Sequence, residues 1–348
     1  MVKNAVVLVL VFFSLVMSGQ EVERDVYDAL KAEKQWGLKV SRSSELLLDS
    51  IFSSAAESID FGDSVCTKEE VLEVLQSFSI LVEQHYGFIY SPVGTLAEAM
   101  DKRILDCNYN SLLFHTFFNR IRGYRLYPVL VPGHMFVRWY LNDTTWLNYE
   151  TTSREFLSDD YYRKNFTVLP QPEEMGLYLK PLNDKQLTAL HLAEVAHDVA
   201  DTARALAIRL NRKALELDST SFHVLRNLSR DFYFNGQKDS SGFYFSRALA
   251  LDSMNYTVHI GRAEMFIENN EYEASLPWIG TAAQISPGNP NTYMLKCYAF
   301  LKMKSLEPAM AAFEEANRCI DKETIFTLLA NYRFLAWLDQ ELILLMGE

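Results

Sequence analysis

The 348-residue sequence is poor in the features that mark several protein classes. It has four cysteines and no CxxC pair, which excludes a zinc ribbon, a thioredoxin-type redox motif and a disulfide-knit scaffold. Fourteen glycines and ten prolines, against 49% hydrophobic residues, exclude a collagen-like rod and a disordered low-complexity chain. Thirty-three basic residues face forty-five acidic ones, a net charge of −12, and no run of Lys and Arg gathers into a basic patch. Such a chain repels a phosphate backbone, so nucleic acid is not an expected partner. GxGxxG, GKS, GKT and HExxH are all absent, and neither cofactor nor metal is expected. The length implies two domains.

What is present begins with a leader. Lys3 precedes the apolar run Ala5 to Met17, broken only by Ser14, and the small residues Ser18 and Gly19 come before a charged stretch at 20–25. This is the pattern of a secretory signal peptide over residues 1–19. The run is shorter than the roughly 20 apolar residues that a membrane span needs, and no later segment of the sequence is long enough. The expected location is outside the cytoplasm, periplasmic or extracellular, with membrane anchoring only if the leader stays uncleaved.

The second half repeats. The segments ALELD, ALALD, AAQIS and ANRCI place Ala214, Ala248, Ala282 and Ala316 at intervals of 34, and Phe232, Phe266 and Phe300 recur at the same interval. This period and Ala placement resemble the tetratricopeptide repeat, a helix-turn-helix unit. Stacked units of that kind bury their apolar stripes against each other and leave a concave groove for a protein or peptide. The first unit is the divergent one, because Asn211 occupies an apolar slot. Cys297 and Cys319 fit the repeat as small buried hydrophobes, and His191, His197, His223 and His259 as structural or surface residues. Thr324 to Met346 reads as a terminal capping helix or pair.

The first half holds the chemistry. Thr67 to Glu70 forms a capping box ahead of an apolar-periodic helix, and an earlier helix is expected over Ser44 to Ser58. Cys107 opens a helix that Gly123 is placed to end. At a helix N-terminus a thiol meets the positive end of the dipole and unpaired N–H groups, which favour the thiolate. Strands are expected over Arg125 to Val131, from His134 to Leu141, and over Thr145 to Thr151, the last carrying Trp146, Asn148 and Glu150 on one face. The order is therefore thiol on a helix, then His, then carboxylate on a returning strand.

That order, with Cys107, the PGH-x-F-V-R-W run at 132–139 and the W-x-N-x-E-T-T run at 146–152, resembles the transglutaminase-like branch of the papain-type cysteine enzymes. The resemblance implies an α+β domain of helices and a small antiparallel sheet over residues 20–182, followed by an all-α tetratricopeptide solenoid over 183–348. The segment GLYLKPL (176–182) is similar to the linker that joins these two modules in exported bacterial proteins. By the same resemblance Cys107 is the nucleophile, His134 the base and Glu150 the orienting acid. Two positions depart from the family pattern: the acid is Glu rather than Asp, and Asp106 replaces a small residue, setting a charge that opposes the thiolate.

Hairpin register is an independent test, because directly opposed residues share a face. A two-residue turn at 142–143 opposes Met135 to Glu150 and sends His134 to the other side. A three-residue loop at 142–144 opposes Phe136 to Glu150 and puts His134 diagonal to it on the same side. Asn148 is the runner-up third member. His115 and Cys66 are expected to have no role beyond packing. The function expected is an exported thiol-dependent hydrolase of amides or peptides, or an acyl transferase if an amine replaces water. The alternative is a catalytically inactive fold that acts as a protein-interaction scaffold through its repeats.

Overall fold

The computed structural model describes residues 25–61, 65 and 67–320. The leader, Cys66 and the capping segment at 324–346 lie outside the described residues.

The first half is a mixed α/β region. Helices Val26–Gln35, Arg42–Ser58 and Lys68–Ile80 supply its apolar side. Thr67 and Glu70 cap the third of these helices reciprocally, each side chain taking the other's backbone N–H. The helix that starts at Cys107 is α-helical to Phe114 and widens into a π-helix over His115–Ile121. It buries Phe114, Phe117 and Phe118 completely. Phe78 lies flat on Phe117, ring centroids 4.9 Å apart, and meets Phe114 edge-on at 4.8 Å. Gly123, at φ +79°, closes the turn.

Strands β3 (Leu126–Val131), β4 (His134–Tyr140), β5 (Trp146–Glu150) and β6 (Glu155–Leu157) form an antiparallel sheet in that order. A separate parallel pair joins β1 (Ile89–Tyr90) to β2 (Ile104–Leu105), with Tyr90 opposite Leu105. One face of the larger sheet, with Leu126, Val137, Trp139 and Tyr149, packs on the helices. The other carries Val129, Val131 and Phe136 against Tyr162, Phe166 and Tyr178. Burial on both faces explains why β4 shows no polar alternation in sequence.

Among the described residues four helix pairs follow: Asp184–Val199 with Arg204–Leu217, Phe222–Phe234 with Lys238–Leu251, Tyr256–Glu268 with Tyr272–Ile285, and Pro290–Lys302 with Leu306–Ile320. Ala214, Ala248, Ala282 and Ala316 are all fully buried. A methyl group at each of these positions lets neighbouring helices approach closely, and that requirement is what the 34-residue period records. Asn211 is satisfied where it stands: its Nδ2 donates to Asp231 Oδ2 at 3.1 Å. Cys297 and Cys319 are buried, the Cys319 thiol donating to Pro287 O at 3.5 Å; burial pushes the Cys297 thiol up to about 11.

The segment at 176–182 is more than a tether. Leu179 N–H donates to Leu130 O at 3.0 Å and Leu182 N–H to Pro128 O at 2.9 Å, so it lies along the free edge of β3. Tyr178 Oη donates to Asp252 Oδ2 at 2.8 Å and accepts from Asn255 Nδ2 at 2.7 Å. Sheet, connecting segment and repeats are thereby packed together.

Candidate active site

The hairpin between β4 and β5 turns through a three-residue loop. Tyr140 opposes Trp146, Arg138 opposes Asn148 and Val137 opposes Tyr149, a register that continues to Phe136 and Glu150. His134 therefore lies diagonal to Glu150 on the same face. Its Nε2 is 2.7 Å from Glu150 Oε2, both side chains having no exposed surface.

Every oxygen of that carboxylate is engaged. Oε2 also accepts from Tyr162 Oη at 3.2 Å, and Oε1 accepts from the Thr152 N–H at 3.1 Å and the Thr152 hydroxyl at 2.7 Å. The His134 ring stacks on Phe166 at 5.2 Å. Burial opposes ionisation of Glu150, but His134 and the two Thr152 donors outweigh it and hold the carboxyl below its ordinary range. Burial likewise opposes the imidazolium, and Glu150 with Cys107 outweighs it, so His134 is raised well above the usual imidazole value. An ion pair this deep persists only because the remaining lone pairs are also satisfied.

Cys107 is the first residue of its helix. Asp106 caps that helix, its carboxylate accepting from Asn108 N–H at 3.0 Å and Tyr109 N–H at 2.9 Å. The charge expected to oppose a thiolate is thus engaged by two amides, while the Cys107 N–H stays outside the cap. With Nε2 committed to Glu150, the other ring nitrogen of His134 is the one left for the sulfur. Nδ1 is buried and has no nitrogen or oxygen partner, and the Cys107 side chain lies near enough to act on the proton affinity of His134. Asn148, the alternative third member, is occupied elsewhere: Arg138 Nε donates to its Oδ1 at 2.7 Å, and its Nδ2 donates to Asp159 Oδ1 at 2.6 Å. His115 donates from Nδ1–H to Leu126 O at 2.8 Å and is buried, a packing position.

No family model and no curated protein matches the chain. Solved structures do resemble it. The MamA protein is 18% identical over 39% of this chain and 74% of its own, with a TM-score of 0.31. MamA from Desulfovibrio magneticus RS-1, residue 41 to the end, is 13% identical over 47% of this chain and 95% of its own, also at 0.31. The likeness concerns the paired-helix, tetratricopeptide-like region and says nothing of the thiol.

The repeats cover the site. Cys107 is only 8% exposed and packs with Met135, Leu182, Leu187 and Leu190. A Cβ on Gly133, which precedes His134, would stand 2.3 Å from Tyr256 Oη; one on Gly94 would stand 2.1 Å from Asp198 Oδ1. Asn108, next to the thiol, donates from Nδ2 to Glu194 Oε1 at 3.1 Å. Glu194 in turn lines a cavity of about 590 Å3 between residues 91–94 and the first helices of the repeats, with Glu98, Asp198, Arg230, Glu264 and Glu268 among its walls.

Sequence reasoning missed Tyr90, Tyr162 and Tyr256. Tyrosines recur throughout the chain, and none of these three sits in a recognisable spacing. Thr152 was visible as the second Thr of the E-T-T run, and a hydroxyl two residues after a carboxylate is a local pattern that could have flagged it.

Proposed function

We propose that the chain binds a protein partner through its repeat array and cleaves an amide or peptide bond with Cys107, His134 and Glu150. The observation that carries this reading is the 2.7 Å bond between His134 Nε2 and Glu150 Oε2, which leaves Nδ1 for Cys107. In this reading the thiolate adds to the carbonyl carbon, and the carbonyl electron pair moves onto oxygen. Collapse of the adduct expels the amine, which takes its proton from His134, and leaves a thioester. Water then attacks the thioester with His134 as base, or an amine does so, giving acyl transfer. Glu150 holds the ring orientation and balances the imidazolium. The leader pattern of the sequence supports work outside the cytoplasm, and the cavity beside Glu194 is where a partner segment would lie.

A second reading is a scaffold without catalysis. The cover over Cys107 favours it, as does the likeness to repeat proteins alone. Iodoacetamide separates the two. Rapid labelling of Cys107 that is lost in His134→Ala supports the thiol centre. Slow labelling, unchanged in that variant, leaves only the scaffold. Peptide and amide libraries turned over by the wild type and not by Cys107→Ala would then identify the substrate.

A further inference from the structure

Acyl transfer to a thiol needs two donors aimed at the oxygen that becomes negative. One is available at once: the Cys107 N–H is the first amide of its helix and has no intrahelical acceptor. The fold supplies a second polar group at the same sulfur. Strand β1 runs parallel to β2, Ser91 N–H donates to Leu105 O at 3.0 Å, and Tyr90 opposes Leu105, two residues before Cys107. This places the Tyr90 side chain in the cluster that packs around Cys107.

The Tyr90 hydroxyl is buried and has no nitrogen or oxygen partner. A buried hydroxyl left without such a partner is costly, so its retention points to a use. Other buried tyrosines nearby are spoken for: Tyr149 Oη is bonded to Ser79 Oγ at 2.9 Å, Tyr162 to Glu150 and Tyr178 to Asp252. Burial first, then the charges at Cys107, Asp106 and Glu150, hold the Tyr90 phenol well above its ordinary range, so it stays protonated as a donor.

We propose that Tyr90 is a further catalytic residue, its phenol O–H acting with the Cys107 N–H to hold the oxyanion formed when the Cys107 thiolate adds to a carbonyl. This rests on the thiol reading above and names the donor that reading lacks. In the resting enzyme the O–H faces the sulfur. As the S–C bond forms and the carbonyl electron pair moves to oxygen, the O–H turns to that oxygen. When the adduct collapses, the C=O re-forms and the hydroxyl keeps its proton throughout.

Two reagents on the full chain test this. p-Nitrophenyl acetate acetylates a thiol through a tetrahedral oxyanion, whereas iodoacetamide alkylates it by direct displacement with none. Each rate is read by mass spectrometry of the peptide containing Cys107. Tyr90→Phe keeps the ring and removes an oxygen that has no nitrogen or oxygen partner, so the fold is retained, checked by circular dichroism. The expected result is acetylation slowed on the order of 100-fold, with alkylation at the wild-type rate. Acetylation at the wild-type rate overturns the proposal, and so does equal slowing of both reactions, which would make Tyr90 a residue that positions the thiol. If wild-type Cys107 reacts with neither reagent, or reacts equally in His134→Ala, the thiol centre itself fails and Tyr90 falls with it.

Discussion

Tyr256, the first residue of the third repeat unit, stands directly over Gly133, the residue that leads into His134. The space above Gly133 is filled by Tyr256 Oη at 2.3 Å and Thr257 Cγ2 at 2.8 Å from where a Cβ would be. The repeat array therefore touches the hairpin that carries His134 at a point where no side chain fits.

Gly133→Ala should push the array off the hairpin. Gly123 is the natural control: it has φ +79°, close to the +73° of Gly133, but nothing lies within 4 Å of its Cβ position. Gly123→Ala suffers the backbone strain alone, while Gly133→Ala adds an overpacking cost of about 1–3 kcal/mol and quickens iodoacetamide labelling of Cys107. Thermal melts and labelling rates measure both. Equal effects from the two variants would contradict the close approach.

The buried pair sets a pH window. His134 is raised to about 10, so its contribution to stability is complete below the ordinary imidazole value and is lost as pH rises through about 10. Glu150 is depressed, so its contribution is present above the ordinary carboxylate range and is lost as pH falls through its lowered value. The melting temperature should be highest between these limits. Glu150→Gln should cost roughly 3–5 kcal/mol and lower the His134 titration midpoint seen by NMR; an unmoved midpoint would count against the pairing.

Tyr178→Phe tests whether the connecting segment is structural. It leaves Asp252 Oδ2 and Asn255 Nδ2 without their shared partner inside the protein. The expected loss is about 1–3 kcal/mol in urea unfolding, with faster amide exchange at Leu179 and Leu182. Exchange at wild-type rates would show that the edge contact with β3 holds without the tyrosine.

Glu33 joins three separate elements. Its carboxylate accepts from Leu96 N–H at 2.7 Å and Ala97 N–H at 2.9 Å, and meets His191 Nε2 at 3.0 Å. Glu33→Gln keeps the shape but gives up the charge, and should cost roughly 3 kcal/mol or more, measured by chemical denaturation. A stability unchanged from wild type would mean that the pair is not formed.

Much of this protein could be read in one dimension because the physics involved is short-ranged. The 34-residue period follows from helix pairs of fixed size closing on alanines. The capping box at Thr67 and the helix start at Cys107 depend on residues within one turn. The choice between a two- and a three-residue loop could be posed from sequence, but only strand pairing settled it in favour of Phe136 opposite Glu150.

The sequence by itself determined the repeat, three successive strands of the larger sheet and the succession of thiol, imidazole and carboxylate, since each is written in local spacing. The tertiary structure decided which groups meet. Asn148 was drawn to Arg138 and Asp159, and Glu33 found His191 across 158 positions. Tyr90 reached Cys107 through the β1–β2 pairing, and Tyr256 reached Gly133 from the repeats. Such contacts are selected by burial and hydrogen-bond satisfaction between distant segments, and no periodicity along the chain records them.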